Sequence, residues 1–143
     1  MAYCTTDHVQ EEFKDQTFTT STKVTLADVT RFILESDALI NSKLGLKYQT
    51  PITGTNALIL MRMISVWLTK SRILDIFAVK TGRTETDQDG GTETAAKANK
   101  LLQDIVDGAV ALSDATLLSS DYRISSYSLE HDLENVFEKG VDQ

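Results

Sequence analysis

Side chains that could activate water or hold a metal ion are few in this 143-residue sequence. Its two histidines, His8 and His131, lie near opposite ends of the chain, and neither has a second ligand at a metal-binding spacing. His131 lies among Glu130, Asp132 and Glu134, which could attract a divalent cation weakly, but a run of acids in a terminal segment is usually just solvated. Both histidines are therefore interpreted as surface residues.

Known catalytic motifs are also missing from the sequence. It contains no Gly-x-Ser-x-Gly nucleophile elbow, no His-Glu-x-x-His zinc motif and no phosphate-binding glycine loop. The pair Gly90 and Gly91 lacks the lysine and the helix register that a phosphate loop requires. A catalytic triad assembled from distant Ser, His and Asp residues is compatible with the sequence, but no particular residues indicate one. The prediction is a protein that is not an enzyme and uses no metal or cofactor.

Cysteine usage and the start of the chain bear on its compartment. The single cysteine, Cys4, cannot form a disulfide within the chain and is interpreted as a small half-buried thiol. Residues 1–16 contain acids and no apolar run of the kind that a secretory signal needs. A product made in the cytoplasm is expected.

The elements that would position any site are helices. Apolar residues recur three and four positions apart over most of the first 117 residues, which is typical of amphipathic helices in one domain. Thr5 or Thr6 is the expected N-cap of the first helix, and Thr25, with Asp28 three residues later, caps the second. Gly45 is expected to end the second helix in a left-handed conformation. The predicted fold class is all-α, a small helical bundle over residues 1–117 with helices at about 6–14, 25–45, 55–80 and 93–113.

The third of these helices is long and strongly apolar. Residues 57–79 approach membrane-spanning length, but charged residues lie inside the stretch, and each would cost about 2.5–3.5 kcal/mol near a bilayer centre. The helix is therefore expected to be the central helix of the bundle, with a narrow solvated stripe formed by Arg62, Ser65, Thr69 and Arg72. Core packing of its large side chains is one interpretation, and contact with a neighbouring subunit is the other. The residues predicted for an oligomer interface are Arg62, Trp67, Arg72 and Phe77.

Two segments outside these helices carry the net charge of −7. Residues 81–94 combine glycines, threonines and acids, which predicts a mobile acidic loop with a net charge of −3. Residues 129–143 form an acidic tail with a net charge of −4, so the remaining body is neutral. This distribution argues against a surface that binds duplex DNA, because phosphate neutralisation needs clustered Lys and Arg.

The C-terminal segment, residues 118–143, is predicted to be an extended arm. Residues 122–127 are aromatic and β-branched, and apolar residues then recur at helical spacing within the acidic tail. An arm with such anchors docks on a partner by strand addition or in a groove, or folds back on its own domain. The residues predicted to make its contacts are Tyr122, Ile124, Tyr127, Leu129 and Phe137.

The corner between the second and third helices resembles a known family. Its spacing Ile-Asn-x-x-Leu-x-x-x-Tyr-x-x-Pro is formed by Ile40, Asn41, Leu44, Tyr48 and Pro51, and an opening Met-Ala-Tyr-Cys-Thr precedes a short helix. Together with the long helix that follows, this pattern resembles the head-tail connector, or neck adaptor, proteins of long-tailed bacteriophages. The resemblance covers roughly residues 1–77.

The resemblance implies a structural virion protein without enzyme activity. Members of that family are small helical bundles that assemble into a ring, commonly of twelve copies, between the portal and the next neck, stopper or tail protein. DNA would pass through such a ring without specific binding, and no membrane would be involved. The location implied is the neck of the virion. The acids expected to face the channel or its rim are Glu85, Asp87 and Asp89.

A second class of function is compatible with the same pattern. A small cytoplasmic helical regulator or binding module could take a partner peptide in a groove between the second helix and the central helix. Such a module would be a monomer or dimer and would show no affinity for portal rings. The connector is the preferred hypothesis, because an over-apolar central helix suits a subunit that buries faces against both neighbours of a ring.

Overall fold

The computed structural model describes residues 1–81 and 89–118, and for residues 79–81 and 89–90 it describes the backbone alone. Four helices form within these ranges and no strand does, so the expected all-α fold is confirmed. None of the described helices combines the length and apolar character that a bilayer crossing requires. The helices are α1 (Thr6–Glu11), α2 (Leu26–Leu44), α3 (Thr55–Thr81) and α4 (Asp89–Asp107).

Local capping explains where the first two helices begin. Thr5 caps α1, and its side chain accepts a hydrogen bond from the backbone N–H of His8. Thr25 caps α2, because its side-chain oxygen accepts a hydrogen bond from the Asp28 backbone N–H at 3.2 Å, while the Asp28 carboxylate accepts one from the Thr25 backbone N–H at 3.1 Å. These reciprocal bonds satisfy backbone donors that would otherwise lack partners at a helix start. The prediction of Thr25 is therefore confirmed, and of the two candidates for the first cap the structure shows Thr5.

The predicted ends of α2 and α4 need correction. Gly45 does follow α2, but its φ of −63° and ψ of −11° are right-handed, and its N–H continues the helical pattern by donating to Asn41. The described glycine with a positive φ is Gly108, at +85°, directly after α4. α4 therefore ends at Asp107, several residues before the predicted end, because a left-handed residue cannot continue a right-handed helix.

α4 also begins earlier than predicted, inside the segment expected to be a mobile loop. Gly91 lies in the first turn of α4 and is buried. A Cβ atom on Gly91 would lie 3.3 Å from Leu74 Cβ and 3.3 Å from the Ser71 carbonyl oxygen of α3. The glycine thus allows α3 and α4 to approach closely. The composition of this segment alone had predicted a loop. Of the predicted loop, residues 82–88 lie outside the described ranges.

The core has two parts on opposite sides of α3. One joins α3 to α4 and to the segment after α2, around Ile40, Met61, Ile64, Leu102 and Ile105. The other joins α3 to α1, to α2 and to the loop between them. α3 is therefore the central helix of the bundle, and its own domain buries apolar side chains on both sides of it. The buried residues of the second part include Val9, Phe18, Val24, Val29, Phe32 and Ile73.

The stripe predicted to be solvated on α3 is buried at its middle. Ser65 and Thr69 are both fully buried, whereas Arg62 and Arg72, at the ends of the stripe, are exposed. The two hydroxyls face Ser36 and Asp37, polar residues of α2 that are also buried. The helical spacing of Ser65 and Thr69 predicted exposed side chains, because the spacing does not show that α2 supplies polar partners for them.

Candidate assembly surface

The N-terminal segment is tied to the rest of the bundle by hydrogen bonds from Tyr3. Its backbone N–H donates to Asp37 Oδ2 at 2.9 Å, and its hydroxyl donates to Asn41 Oδ1 at 2.5 Å. The same hydroxyl accepts a hydrogen bond from the backbone N–H of Ile52 at 2.9 Å. Because Tyr3 is buried, burial is the main cause that raises the pKa of its hydroxyl, which stays protonated at neutral pH. Tyr3 therefore joins three segments of the chain.

Asp37 is the centre of a buried polar cluster between α2 and α3. Besides Tyr3, it accepts a 2.7 Å hydrogen bond from Ser65 Oγ, which lies 3.2 Å from Cys4 Sγ. Burial raises the pKa of the Asp37 carboxyl above its usual value, while the bonds from Ser65 and Tyr3 act in the opposite direction. Burial also raises the pKa of the Cys4 thiol to about 11. A thiol with so little thiolate is a poor nucleophile, so Cys4 contributes to the packing of this cluster.

The corner that carries the family resemblance forms part of the core. Ile40, Leu44 and Tyr48 are buried, and Asn41 accepts the Tyr3 hydroxyl. Pro51 is exposed and follows a cis peptide bond at Thr50. Three of the five corner residues thus hold the shape of the turn, and a fourth fixes the N-terminal segment on it. The spacing that led to the resemblance therefore corresponds to one packed unit.

A second segment, after α4, completes this corner. The Asp114 carboxylate accepts hydrogen bonds from the backbone N–H groups of Asn56 at 2.6 Å and Ala57 at 3.0 Å, in the first turn of α3. Gly54 makes room for this contact, because a Cβ there would clash with the Asp114 carbonyl oxygen. A carboxylate at a helix N-terminus is favourable for the helix dipole as well as for the free N–H groups. Sequence reasoning missed Asp114, since it caps a helix 58 residues away.

The chain leaves the described part of the bundle beside the corner. Gln49 N–H donates to Thr116 O at 2.8 Å and Leu118 N–H donates to Lys47 O at 3.0 Å, which forms an antiparallel bridge between Tyr48 and Leu117. This bridge is two hydrogen bonds long. Residues 116–118 are therefore fixed against the corner, and the predicted arm starts from there.

Exposed apolar side chains surround this exit point. Leu46 is 86% exposed, Leu117 59% and Leu118 49%. Lys43 lies three residues before Leu46 and Lys47 directly follows it. Their ammonium groups contact neutral oxygens, Asn99 Oδ1 at 3.2 Å and Val106 O at 3.4 Å. We call these five residues the corner surface. Exposed leucines next to a backbone edge are typical of a surface that contacts another segment or protein.

The predicted oligomer-interface residues do not share one surface of α3. A spacing of five residues turns successive side chains by about 140° around an α-helix. Arg72 is exposed and pairs with Glu35 of α2 at 2.5 Å, and Arg62 is exposed as well. Trp67 packs against the core part shared with α4, whereas Phe77 packs on the opposite part, with Lys23 Nζ 5.1 Å from its ring centre. The two aromatic residues are thus half-buried within their own domain.

The remaining predicted site residues fall at or beyond the limits of the described ranges. Of the three channel acids, Asp89 is the first residue of α4, and Glu85 and Asp87 lie outside the described residues. The predicted arm contacts also lie outside them: Tyr122, Ile124, Tyr127, Leu129 and Phe137. Among the described residues, no three His, Cys, Asp or Glu side chains come together as metal ligands.

A separate groove lies between α2, α3 and α4. It has a volume of about 310 Å³ and is lined by Leu39, Leu68 and Ala95, with the Glu35–Arg72 ion pair and two serines at its edge. Its position is close to that of the groove expected for a peptide-binding module. No protein-family model and no curated protein matches the chain.

Proposed function

We propose that this protein is a structural virion component, a head-tail connector that forms a ring of its own copies between the portal and the next neck or tail protein. The proposal rests on the structure of the corner between α2 and α3. Residues that resemble the family's spacing form one packed unit with Tyr3, and the chain departs beside this unit among exposed leucines. A connector needs a rigid body with a segment that reaches a neighbour, and this arrangement supplies the attachment point for one.

The charge distribution supports the same proposal. Six of the 21 acidic residues lie in residues 1–36. Residues 38–74 contain no Asp or Glu at all. The acids instead concentrate after α3 and in the tail, which gives the chain its net charge of −7. An acidic rim would repel DNA phosphates and let a duplex slide without specific contacts.

Electron microscopy of the full chain mixed with portal rings of its phage tests the proposal. The expected result is an added collar at the tail-facing end of the portal. Leu46→Asp should weaken the collar strongly, because it puts a charge on the corner surface, whereas Leu34→Asp, at a 60% exposed leucine on α2, should leave it intact. Bare portals beside small particles in both low and high salt would overturn the connector function.

The groove between α2, α3 and α4 favours a second candidate, a helical module that binds a partner peptide. Leu39 is 40% exposed at its edge, and the Glu35–Arg72 pair could orient a polar peptide group. The two candidates differ in where substitutions act. Leu39→Asp should abolish peptide binding by a module, while a connector should lose portal binding through Leu46 instead.

A further inference from the structure

We propose that the corner surface is covered by the acidic tail of the same chain, residues 129–137, in the free protein. This inference concerns the isolated chain, so its test does not depend on the connector function. The first reason is position: Leu118 is hydrogen-bonded to Lys47 O, so the residues that follow start on the corner surface itself. About ten linking residues span up to about 35 Å when extended, which is enough to turn and come back to it.

The second reason is charge complementarity. Residues 38–74 contain five Lys or Arg and no Asp or Glu, and the corner surface carries two of these cations, Lys43 and Lys47. Within the described ranges, neither lysine has a carboxylate partner, whereas Lys70 pairs with Glu12 and Arg72 pairs with Glu35. Residues 129–137 contain three acids and no Lys or Arg. Opposite charges would draw this segment toward the two lysines.

The third reason is that both sides offer apolar contacts. The tail repeats apolar residues at helical spacing, Leu129, Leu133 and Phe137, with acids between them. The corner surface presents three exposed leucines: Leu46 with 86% of its area exposed, Leu117 with 59% and Leu118 with 49%. An amphipathic acidic segment on a basic, leucine-bearing surface buries apolar area and pairs charges at the same time.

Photo-crosslinking on the full chain tests the proposal. Leu46→Cys provides a single attachment point for a benzophenone maleimide, because the one native thiol, Cys4, is 2% exposed. Mass spectrometry should recover crosslinks from position 46 to peptides within residues 129–137. The matched control places the same probe at Leu34→Cys, an exposed leucine on α2 about 15 Å before the end of that helix, and should give few such crosslinks.

A charge variant makes the test sharper. Lys43→Glu combined with Lys47→Glu should reduce the crosslink yield about fivefold, as expected for the loss of two exposed ion pairs. The control Lys97→Glu, at a lysine paired with Glu93 on α4, should leave the yield unchanged. Circular dichroism checks that each variant remains helical.

Two outcomes would overturn the inference. One is a crosslink pattern from position 46 that lacks tail peptides, or that equals the pattern from position 34. The other comes from mixing chains of heavy and light isotopes: crosslinks between heavy and light peptides would show that the tail of a different copy covers the surface. Either result leaves the connector proposal to be decided by its own microscopy experiment.

Discussion

The hydroxyl of Tyr3 accepts a hydrogen bond from the backbone N–H of Ile52 at 2.9 Å, although 49 residues separate them. Through this contact the third residue of the chain stabilises the turn between α2 and α3. The hydroxyl also donates to Asn41, so both of its hydrogen-bonding roles are used within the protein. The N-terminal segment is therefore a structural part of the corner.

Replacing Tyr3 by Phe should lower the free energy of unfolding by about 1–3 kcal/mol, because the buried Ile52 N–H then loses its acceptor. Urea unfolding followed by circular dichroism measures the change. Tyr48→Phe is the matched control, since the Tyr48 hydroxyl makes no side-chain hydrogen bond among the described residues and its removal should cost little. Equal effects of the two substitutions would contradict the role given to Tyr3.

Asp37 should give the protein a distinctive dependence of stability on pH. Burial raises its pKa in the folded chain above the ordinary value of 3.8, so the folded state holds this proton more tightly than the unfolded state. The corresponding stability is fully present below about pH 3.8 and is lost as pH rises through the folded pKa. Relative to Asp37→Asn, the wild-type chain should therefore become less stable as pH rises above 3.8.

Asp28 provides the opposite control for that experiment. Hydrogen bonds from Thr25 lower the pKa of Asp28, so its contribution is present above the ordinary value and is lost as pH falls. Urea unfolding of Asp37→Asn, Asp28→Asn and wild type between pH 3 and 7, about the range in which carboxyl groups titrate, separates the two slopes. Difference curves of the same sign for the two variants would contradict these assignments.

Asp114 should contribute to the stability of α3 although it follows α4 in the chain. Asp114→Ala removes both hydrogen bonds to the first turn of α3 and should cost about 0.5–2 kcal/mol, as for the loss of a helix N-cap. Amide hydrogen exchange should become faster at Asn56 and Ala57. The control Asp107→Ala removes an exposed acid that contacts Gln103 within α4 and should leave exchange at those two amides unchanged.

Gly91→Ala tests the close contact between α3 and α4. The added methyl group would lie 2.8 Å from Asp75 Oδ1, 3.3 Å from Leu74 Cβ and 3.3 Å from Ser71 O. Overpacking of this kind costs about 1–3 kcal/mol, which outweighs the gain of about 1 kcal/mol that alanine brings to a helix. Thermal unfolding should show a lower midpoint, and adding Asp75→Ala should recover part of it. A stabilised Gly91→Ala chain would mean that the helices are not so close.

Much of the fold was predictable because it depends on neighbours in sequence. The caps at Thr5 and Thr25 act on residues three positions away, and the apolar spacing of α3 marked it as the central helix. The wrong predictions came from local sequence patterns at positions where tertiary packing determines the structure. Gly91 resembled a loop residue by composition, but it is buried in a helix because α3 passes too close for a side chain.

The buried face of α2 shows the same limit of periodicity. Leu39 is 40% exposed although it is apolar, while the polar residues Ser36 and Asp37 are buried. Burying these polar groups is possible because Thr69 and Ser65 of α3 complete their hydrogen bonds. A helical pattern ranks residues by polarity alone and cannot show that a partner will satisfy them. Similarly, Glu35 of α2 pairs with Arg72 of α3, which lies 37 residues away in the sequence.

The sequence by itself determined the all-α class, the caps, the central helix and the separation of acids from a long acid-free stretch, because these follow from local hydrogen bonding, periodicity and charge. Only the tertiary structure decided that Tyr3, Asn41 and Ile52 meet, that Asp114 caps α3 and that Leu118 leaves beside Lys47. Such contacts join segments far apart in the chain. Their free energy depends on the whole packing of the helices, which no short window of sequence contains.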